Sequence, residues 1–560
     1  MAERLDQSVT NVAGSTHTVF NQVPPLVDYN LFTHDRLLAS CVERAGAGWA
    51  SAQLDAFGLR MGQAEVQEWA VEMNRQTPLL RTHDRFGNRV DEVVYTPVYH
   101  ALMREAVSYG THALSYREQR QGSHSARAAL FYLSAQVEAG HGCPISMTHA
   151  AYPVLASYLP QWQRWTAQMT SADYDPVLRP FTEKTGLLCG MGMTEKQGGS
   201  DVRANTTTAV PYHEEFAGQS VYHLRGHKWF CSAPMSDLFL VLAQAPKGLS
   251  CFLVPRILPD GTRNVFMLQR LKDKLGNRSN ASSEVEFERT WAVLVGEEGC
   301  GVRTIIEMVN ATRLDCILGS AALMRQATVQ VIHHATYRSA FGRRLVEQPL
   351  MSNVLADLAI ESAAATLLGF YLAQISEQAA SDPQAAFLKR LGTAVGKYWV
   401  TKRAPVMSAE ALECLGGNGY VEESVLPRLY REAPLNSLWE GAGNVNCLDV
   451  LRSLAKDRQA TEHIEQWLAP VRHANSYLDA ATTQILHDLQ HIETLEWSAR
   501  HLVERLALVM QGALLLQYAP PELADAFCAT RLGQQWGYAF GTLPSNVDAK
   551  AIINYTYLPA

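Results

Sequence analysis

Apolar positions recur at helical spacing along most of the chain and at strand spacing only near its middle. From about residue 46 to 190 the texture is helical, with long Ala/Leu/Glu/Gln/Arg runs such as 125–139, broken at Cys143-Pro144, Pro153 and Pro160. Between about Thr206 and Phe287 short segments of β-formers follow, at 220–224, 238–242 and 250–254. Gly218, Gly226, Pro234, Gly248 and Asp260-Gly261 punctuate them, a rhythm that predicts a small antiparallel barrel or sandwich. After Gly301 the helical pattern returns, with Leu314, Ile317, Ala321, Met324, Val331 and Ala335 on one face. Two more long segments, 350–375 and 385–415, extend it toward a four-helix bundle. Near the end, Leu495, Ala499, Leu502, Leu506, Val509, Ala513 and Leu516 form another stripe, closed by Pro520-Pro521. Residues 1–45 are polar, carry Pro24-Pro25 and read as an extended arm packed against something else. The expected division is an arm (1–45), a helical domain (46–190), a β barrel (191–295), a four-helix bundle (296–454) and a C-terminal helical domain (455–560).

Composition narrows the class. With 47% hydrophobic and 18% charged residues over 560 positions, the chain is globular rather than disordered. A net charge of −7 argues against wholesale coating of nucleic acid while leaving room for a local basic patch. The ten cysteines show no CxxC and no His/Cys cluster at metal spacing, and read as reduced thiols with no metal. The first twenty residues lack the apolar core of a signal peptide, and no stretch approaches 18 uninterrupted apolar residues. A cytoplasmic protein without a membrane span is the expectation.

Four stretches carry candidate chemistry. In Leu438-Trp439-Glu440-Gly441-Ala442-Gly443-Asn444 a carboxylate sits between an aromatic residue and two glycines, where little bulk shields the backbone. It reads as a general base beside a flat cofactor or as a polar turn between helices. Met193-Thr194-Glu195-Lys196-Gln197-Gly198-Gly199-Ser200-Asp201-Val202 lies at the junction of the helical and β regions. Its glycines expose backbone N–H groups to an anion, but it has neither the Walker nor the Rossmann spacing, so P-loop and classical NAD chemistry drop out. Trp229, in His227-Lys228-Trp229-Phe230-Cys231-Ser232, offers an indole to stack on a heterocycle or simply a core side chain. The basic stretch 270–281, with four cations in its first nine residues, is a phosphate-greeting loop or a solvated one.

In order and span these stretches resemble the acyl-CoA dehydrogenase family. Thr194-Glu195 with Gly199-Ser200-Asp201 is similar to its flavin loop and Trp229 to its aromatic flavin neighbour. Lys274-Leu275-Gly276, Arg278 and Ser279 resemble the segment entering its last strand. Arg338 with Phe341-Gly342 resembles its Arg-x-x-Phe-Gly element, Leu415-Gly416-Gly417-Asn418-Gly419-Tyr420 its glycine-rich helix end, and Glu440-Gly441 its catalytic-base turn. The wording of 193–201, 426–432 and 439–444, with the long helical tail, resembles the AidB-like branch, associated with the adaptive response to DNA alkylation.

The resemblance implies a mostly α fold around a central β barrel, bound FAD and a homotetramer. It implies acyl-CoA dehydrogenation, weak or vestigial and of the isovaleryl-CoA type, and double-stranded DNA as a partner of the C-terminal domain. Glu440 takes the role of the base. Met193 to Val202, Trp229, Ser232, Arg338, Phe341, Gly416, Gly417 and Leu438 to Asn444 become FAD neighbours, and Arg313 and Arg452 face the substrate. The alternative is a DNA-binding protection protein whose FAD is structural or damage-quenching. Two departures stand out: Cys231 occupies the place of the family's flavin-facing hydroxyl, with Ser232 one place on, and Ala442 replaces a threonine after Glu-Gly. Over 452–560 eight basic against eleven acidic residues give a net −3, a poor start for a DNA-binding face.

Overall fold

The computed structural model describes residues 16–491 and 494–558. The stripe beginning at Leu314 belongs to one long helix, Gly301–Tyr337, with Ile317, Ala321, Met324, Val331 and Ala335 all buried. It packs beside Pro349–Gln378 and Pro383–Cys414, and the shorter Gly443–Lys456 packs on the latter. Together they make a bundle whose cores share one apolar cluster. Pro349–Gln378 is apolar enough to cross a membrane by length and composition, but 89% of its most apolar window is buried inside the protein, as a central core helix requires.

The β region is a barrel built from β3 (Cys189–Gly192), β4 (Thr208–Phe216), β5 (Gln219–Ser232), β6 (Leu238–Ala245), β7 (Gly248–Pro255), β8 (Met267–Leu271) and β9 (Ser282–Val295). β4 pairs with β5, β5 with β9, β9 with β7 and β7 with β6, all antiparallel, and a single parallel pair between Thr208 and Gln244 closes the ring. β3 adds in parallel outside β6, and β8 pairs with β9. Closure explains the apolar run Leu238 to Ala243, buried throughout, where an open sheet would show alternation.

Two expectations are corrected. The helical texture over 46–190 is interrupted by a hairpin of β1 (Leu79–His83) and β2 (Arg89–Val94). Asp84 organises its turn by accepting from the backbone N–H groups of Phe86 and Asn88 at 2.8 and 2.9 Å. The hairpin docks on the barrel, because Asp91 accepts from the Leu268 N–H at 2.8 Å and Arg89 donates to the Leu268 carbonyl at 2.9 Å. In the arm, residues 1–15 lie outside the described residues, and Arg36–Arg44 forms a helix capped by Asp35. The segment before it is pinned to the rest of the chain: His333 Nε2 meets the Pro24 carbonyl at 2.8 Å, and the Asp28 N–H donates to Gly62 at 2.7 Å.

The C-terminal stripe becomes the helix Ala499–Tyr518, with Leu495 just outside it. Leu502, Leu506, Val509 and Ala513 are buried in the common cluster. Each large side chain so buried contributes roughly 1.5–3 kcal/mol. A buried ionic knot fixes the tail to the bundle. Arg531 donates to Asp357 at 2.5 Å and to Glu361 at 3.1 Å, and Asp357 also accepts from the Trp536 indole and the Gly541 N–H, each at 2.9 Å.

Candidate active site

Glu440 stands where the short turns after the Pro383–Cys414 helix lead into the Gly443–Lys456 helix. Its backbone is left-handed (φ 57°), as is that of Gly441 (φ 93°). For a residue with a side chain that conformation is strained, so the surroundings must hold it. Arg313, on the first bundle helix, donates from Nε to the Glu440 carbonyl at 2.9 Å and from Nη1 to Asp449 at 2.8 Å. Lys397, on the third, donates to the Gly441 carbonyl at 3.1 Å, and Asn446 reaches the same oxygen at 2.6 Å. A Cβ on Gly441 would meet Val445 Cγ1 at 2.9 Å, so the turn admits no larger residue there. Trp439 is fixed by its indole N–H on Asn436 at 2.9 Å.

One oxygen of the carboxyl group is left free. Glu440 Oε2 is enclosed yet has no hydrogen-bond partner among the described residues. Burial pushes its pKa above the usual carboxylate range, against the pull of the Thr312 hydroxyl and the Lys397 and Arg313 cations. Burial also lowers the Lys397 pKa. Cys143 of the helical domain and Cys316 of the bundle both feel the Glu440 charge, and burial raises both thiols, to about 11 and about 12. Glu440 is therefore a poorly solvated carboxyl group at the meeting of helical domain and bundle.

The barrel supplies the opposite wall. The β5–β9 register slips between Lys228 and Cys231, so Trp229 and Phe230 together span one position of β9. The Trp229 N–H donates to the Thr194 carbonyl at 2.8 Å, which joins the glycine-rich segment to this bulge. Lys272 Nζ sits 3.3 Å from the Trp229 ring centroid, with Lys196 and Arg270 at 5.5 and 5.6 Å. Ser232 touches Ser282 Oγ at 3.4 Å and the Cys143 thiol. Of the expected neighbours, Lys196, Gln197, Gly198, Gly199, Ser200 and Asp201 form an exposed segment, and nothing lies within 4 Å of the Cβ position at Gly198, Gly416 or Gly417. Met193, Thr194 and Val202 are half-buried beside it.

Several site expectations are redirected. Glu195 is wholly buried and its carboxylate is consumed internally: it pairs with Lys228 at 2.7 Å and accepts from Thr206 N, Thr207 N and Gln197 at 2.7, 3.2 and 2.8 Å. It shapes the loop instead of greeting a ligand. Arg313 likewise spends its guanidinium on the Glu440 carbonyl and Asp449, so it clamps the turn at 440–441. Arg452 is exposed, because Asn446, Val450 and Ser453 mark the buried side of its helix and residue 452 falls off it. Arg338 bonds the Asn21 carbonyl, and Phe341 projects from a two-residue hairpin with 98% of its surface exposed, so this chain places neither beside Glu440. Leu438 is exposed, and Asn444 accepts from Arg500 of the C-terminal domain at 2.8 Å. Ala442 and Gly443 begin the following helix, with the Ala442 carbonyl 3.2 Å from Asn446. Sequence reasoning missed Lys397, Asn446, Cys143 and Cys316; only their fold neighbours reveal them.

Known proteins resemble this chain over most of its length. The chain is 47% identical to AidB of Escherichia coli (strain K12) over 524 residues, covering 93% of this chain and 95% of that protein. The chain belongs to the acyl-CoA dehydrogenase family, in its AidB-like branch. Family models match in consecutive blocks: the adaptive response protein AidB N-terminal domain over 21–176, the acyl-CoA dehydrogenase middle domain over 190–290 and its C-terminal domain over 299–455. The acyl-CoA dehydrogenase family member 11 of Caenorhabditis elegans is 29% identical over 87% of this chain and 83% of its own length. The solved structure of C. elegans ACDH-11 in complex with C11-CoA superposes with a TM-score of 0.81 at 25% identity, covering 97% of this chain and 93% of that one. The Bd2924 apo-form superposes at 0.82 with 28% identity, over 90% of this chain and all of that one. The expected fold, α domain, barrel and bundle, is that of the family's structures.

Proposed function

We propose that this member of the family is an FAD-dependent dehydrogenase of acyl-CoA thioesters in which Glu440 removes the α proton. The observation that carries the reading is the enclosed Oε2 of Glu440, which has no hydrogen-bond partner among the described residues although the turn around it is tightly bonded. The residues present fit FAD: the glycine segment 196–201 is exposed, Gly416 and Gly417 have free space at their Cβ positions, and the Trp229 bulge is joined to the glycine segment through the Thr194 carbonyl. When bound, FAD would supply the acceptor for the hydride of the β carbon. The chain's part is to fix the carboxylate through Arg313, Lys397 and Asn446, and to keep it poorly hydrated so that its basicity rises. Names among the relatives support the substrate class, since ACDH-11 was solved with C11-CoA. All ten cysteines are free thiols, which suits the cytoplasm. A homotetramer is part of the same proposal; the uncovered Phe341, Leu350 and Tyr420 give it surfaces to bury.

The second reading is a DNA-binding protector in the response to alkylation. It finds less support in the charges: Arg531 is buried in its ionic knot, Arg505 pairs with Asp488 at 2.7 Å and Arg500 bonds Asn444 at 2.8 Å. Anaerobic titration of the purified protein with an acyl-CoA panel and with alkylated duplex DNA separates the two. Bleaching of bound flavin by an acyl-CoA is expected. Absence of flavin overturns both readings as stated, and salt-sensitive duplex binding without bleaching favours the second.

A further inference from the structure

Behind Ser232 lies a cation that the proposed reaction does not use. Lys274 enters from the loop between β8 and β9 and donates from Nζ to the Asn280 carbonyl at 2.6 Å and to Ser282 Oγ at 3.0 Å. Ser282 Oγ in turn lies 3.4 Å from Ser232 Oγ, and the Ser232 hydroxyl also meets the Cys143 thiol. An ammonium has three donors, and two are spent here. Among the described residues no carboxylate forms an ion pair with Lys274, whereas the neighbouring Lys272 and Arg270 are both held by Glu284 at 2.6 Å. The acids that face it from the packed elements, Glu432 beneath the bundle and Glu138 in the helical domain, are occupied elsewhere. Glu432 accepts from Asn277 N at 2.6 Å, and Glu138 from Ser279 at 2.7 Å and the His141 N–H at 2.9 Å. The titratable and charged groups acting on Lys274 are thus Cys143, Glu432 and Glu138.

Resting on the FAD reading above, we infer that Lys274 is a positioning residue for the redox edge of the flavin. Through Ser282 it orients the Ser232 hydroxyl, and its unpaired charge stabilises the anionic reduced ring. A fixed charge in a poorly solvated pocket acts over several ångströms with little screening, so it biases the reduction equilibrium without touching the substrate. Burial lowers the Lys274 pKa to about 8, so the charge is present below that pH and lost above it in the oxidised protein. Reduction restores the proton, and the flavin potential should therefore fall more steeply with pH above about 8.

The test measures the midpoint potential of the FAD-loaded, full-length protein by dye equilibration, with no substrate present. Lys274→Met is expected to retain FAD, shift the reduction equilibrium at least tenfold toward the oxidised form, about 30 mV for a two-electron couple, and lose the extra slope. Ser282→Ala, which breaks the bridge and keeps the charge, should shift it less. A potential within threefold of wild type in Lys274→Met overturns the inference. Should that variant lose flavin, Lys274→Arg decides, because a retained charge must keep the equilibrium within threefold and a tenfold shift refutes the role. A wild-type protein that takes up no FAD overturns the proposed function; normal flavin indifferent to residue 274 overturns this inference alone.

Discussion

Glu195→Gln is the substitution whose cost the structure sets most clearly. Glu195 and Lys228 are both fully buried, 2.7 Å apart, and Lys228 has one further acceptor, the Leu242 carbonyl at 2.8 Å. Removing the negative charge leaves an ammonium inside the barrel, and breaking one half of a buried pair costs about 3–5 kcal/mol. A second route gives a compatible figure. Burial is the largest single effect and opposes ionisation, but Lys228 and the Thr206 and Thr207 donors together outweigh burial and hold the carboxylate at about 2. A carboxylate lowered that far below its ordinary range is worth roughly 3–4 kcal/mol at neutral pH. Because the folded pKa is depressed, that stability is present above the ordinary carboxylate range and lost as pH falls toward 2. Urea unfolding followed by tryptophan fluorescence should show the loss in Glu195→Gln, together with faster FAD release, because the segment 193–202 hangs on this residue. Lys228→Met added to Glu195→Gln should recover a large part of it. A loss below about 1 kcal/mol, or a double variant no better than the single, would refute the claim that the pair carries the loop.

Two further outcomes follow from the same geometry. Since burial raises the Glu440 pKa and the base works ionised, the rate of flavin reduction should rise with pH along a limb placed above the ordinary glutamate range; Thr312→Val, which removes a hydroxyl that favours the ionised form, should move the limb higher still. Arg531→Met leaves Asp357 without its buried cation, at a cost of about 3–5 kcal/mol. Limited proteolysis should then cut first in the tail after residue 531 while the bundle stays intact, whereas unchanged protection would remove Arg531 as the tie between tail and bundle.

Legibility in the sequence followed physical scale. The Gly301–Tyr337 and Pro383–Cys414 helices were readable because periodic burial repeats over many turns. The β1–β2 hairpin was not, since each strand is short and lies partly exposed, and only the Asp84-Arg85-Phe86-Gly87-Asn88 turn hints at it. Glu440 stood out through its glycines, but its positive φ and its clamps could not, because Arg313 and Lys397 come from helices 127 and 43 positions away in the chain. The same limit explains Glu195: a motif match gives a residue's place, while the burial of Lys228 opposite decides what its side chain does. Arg452 failed for a simpler reason, a helix phase one step off the buried face.

Stopped-flow reduction of bound flavin under anaerobic conditions, comparing wild type with Glu440→Gln at saturating acyl-CoA, tests the central claim most directly. A base acting at the α carbon contributes about 10²–10⁴-fold. The expected result is a loss of that size in the variant, with FAD content and acyl-CoA affinity retained. Reduction within tenfold of wild type would contradict the assignment of Glu440 as the base.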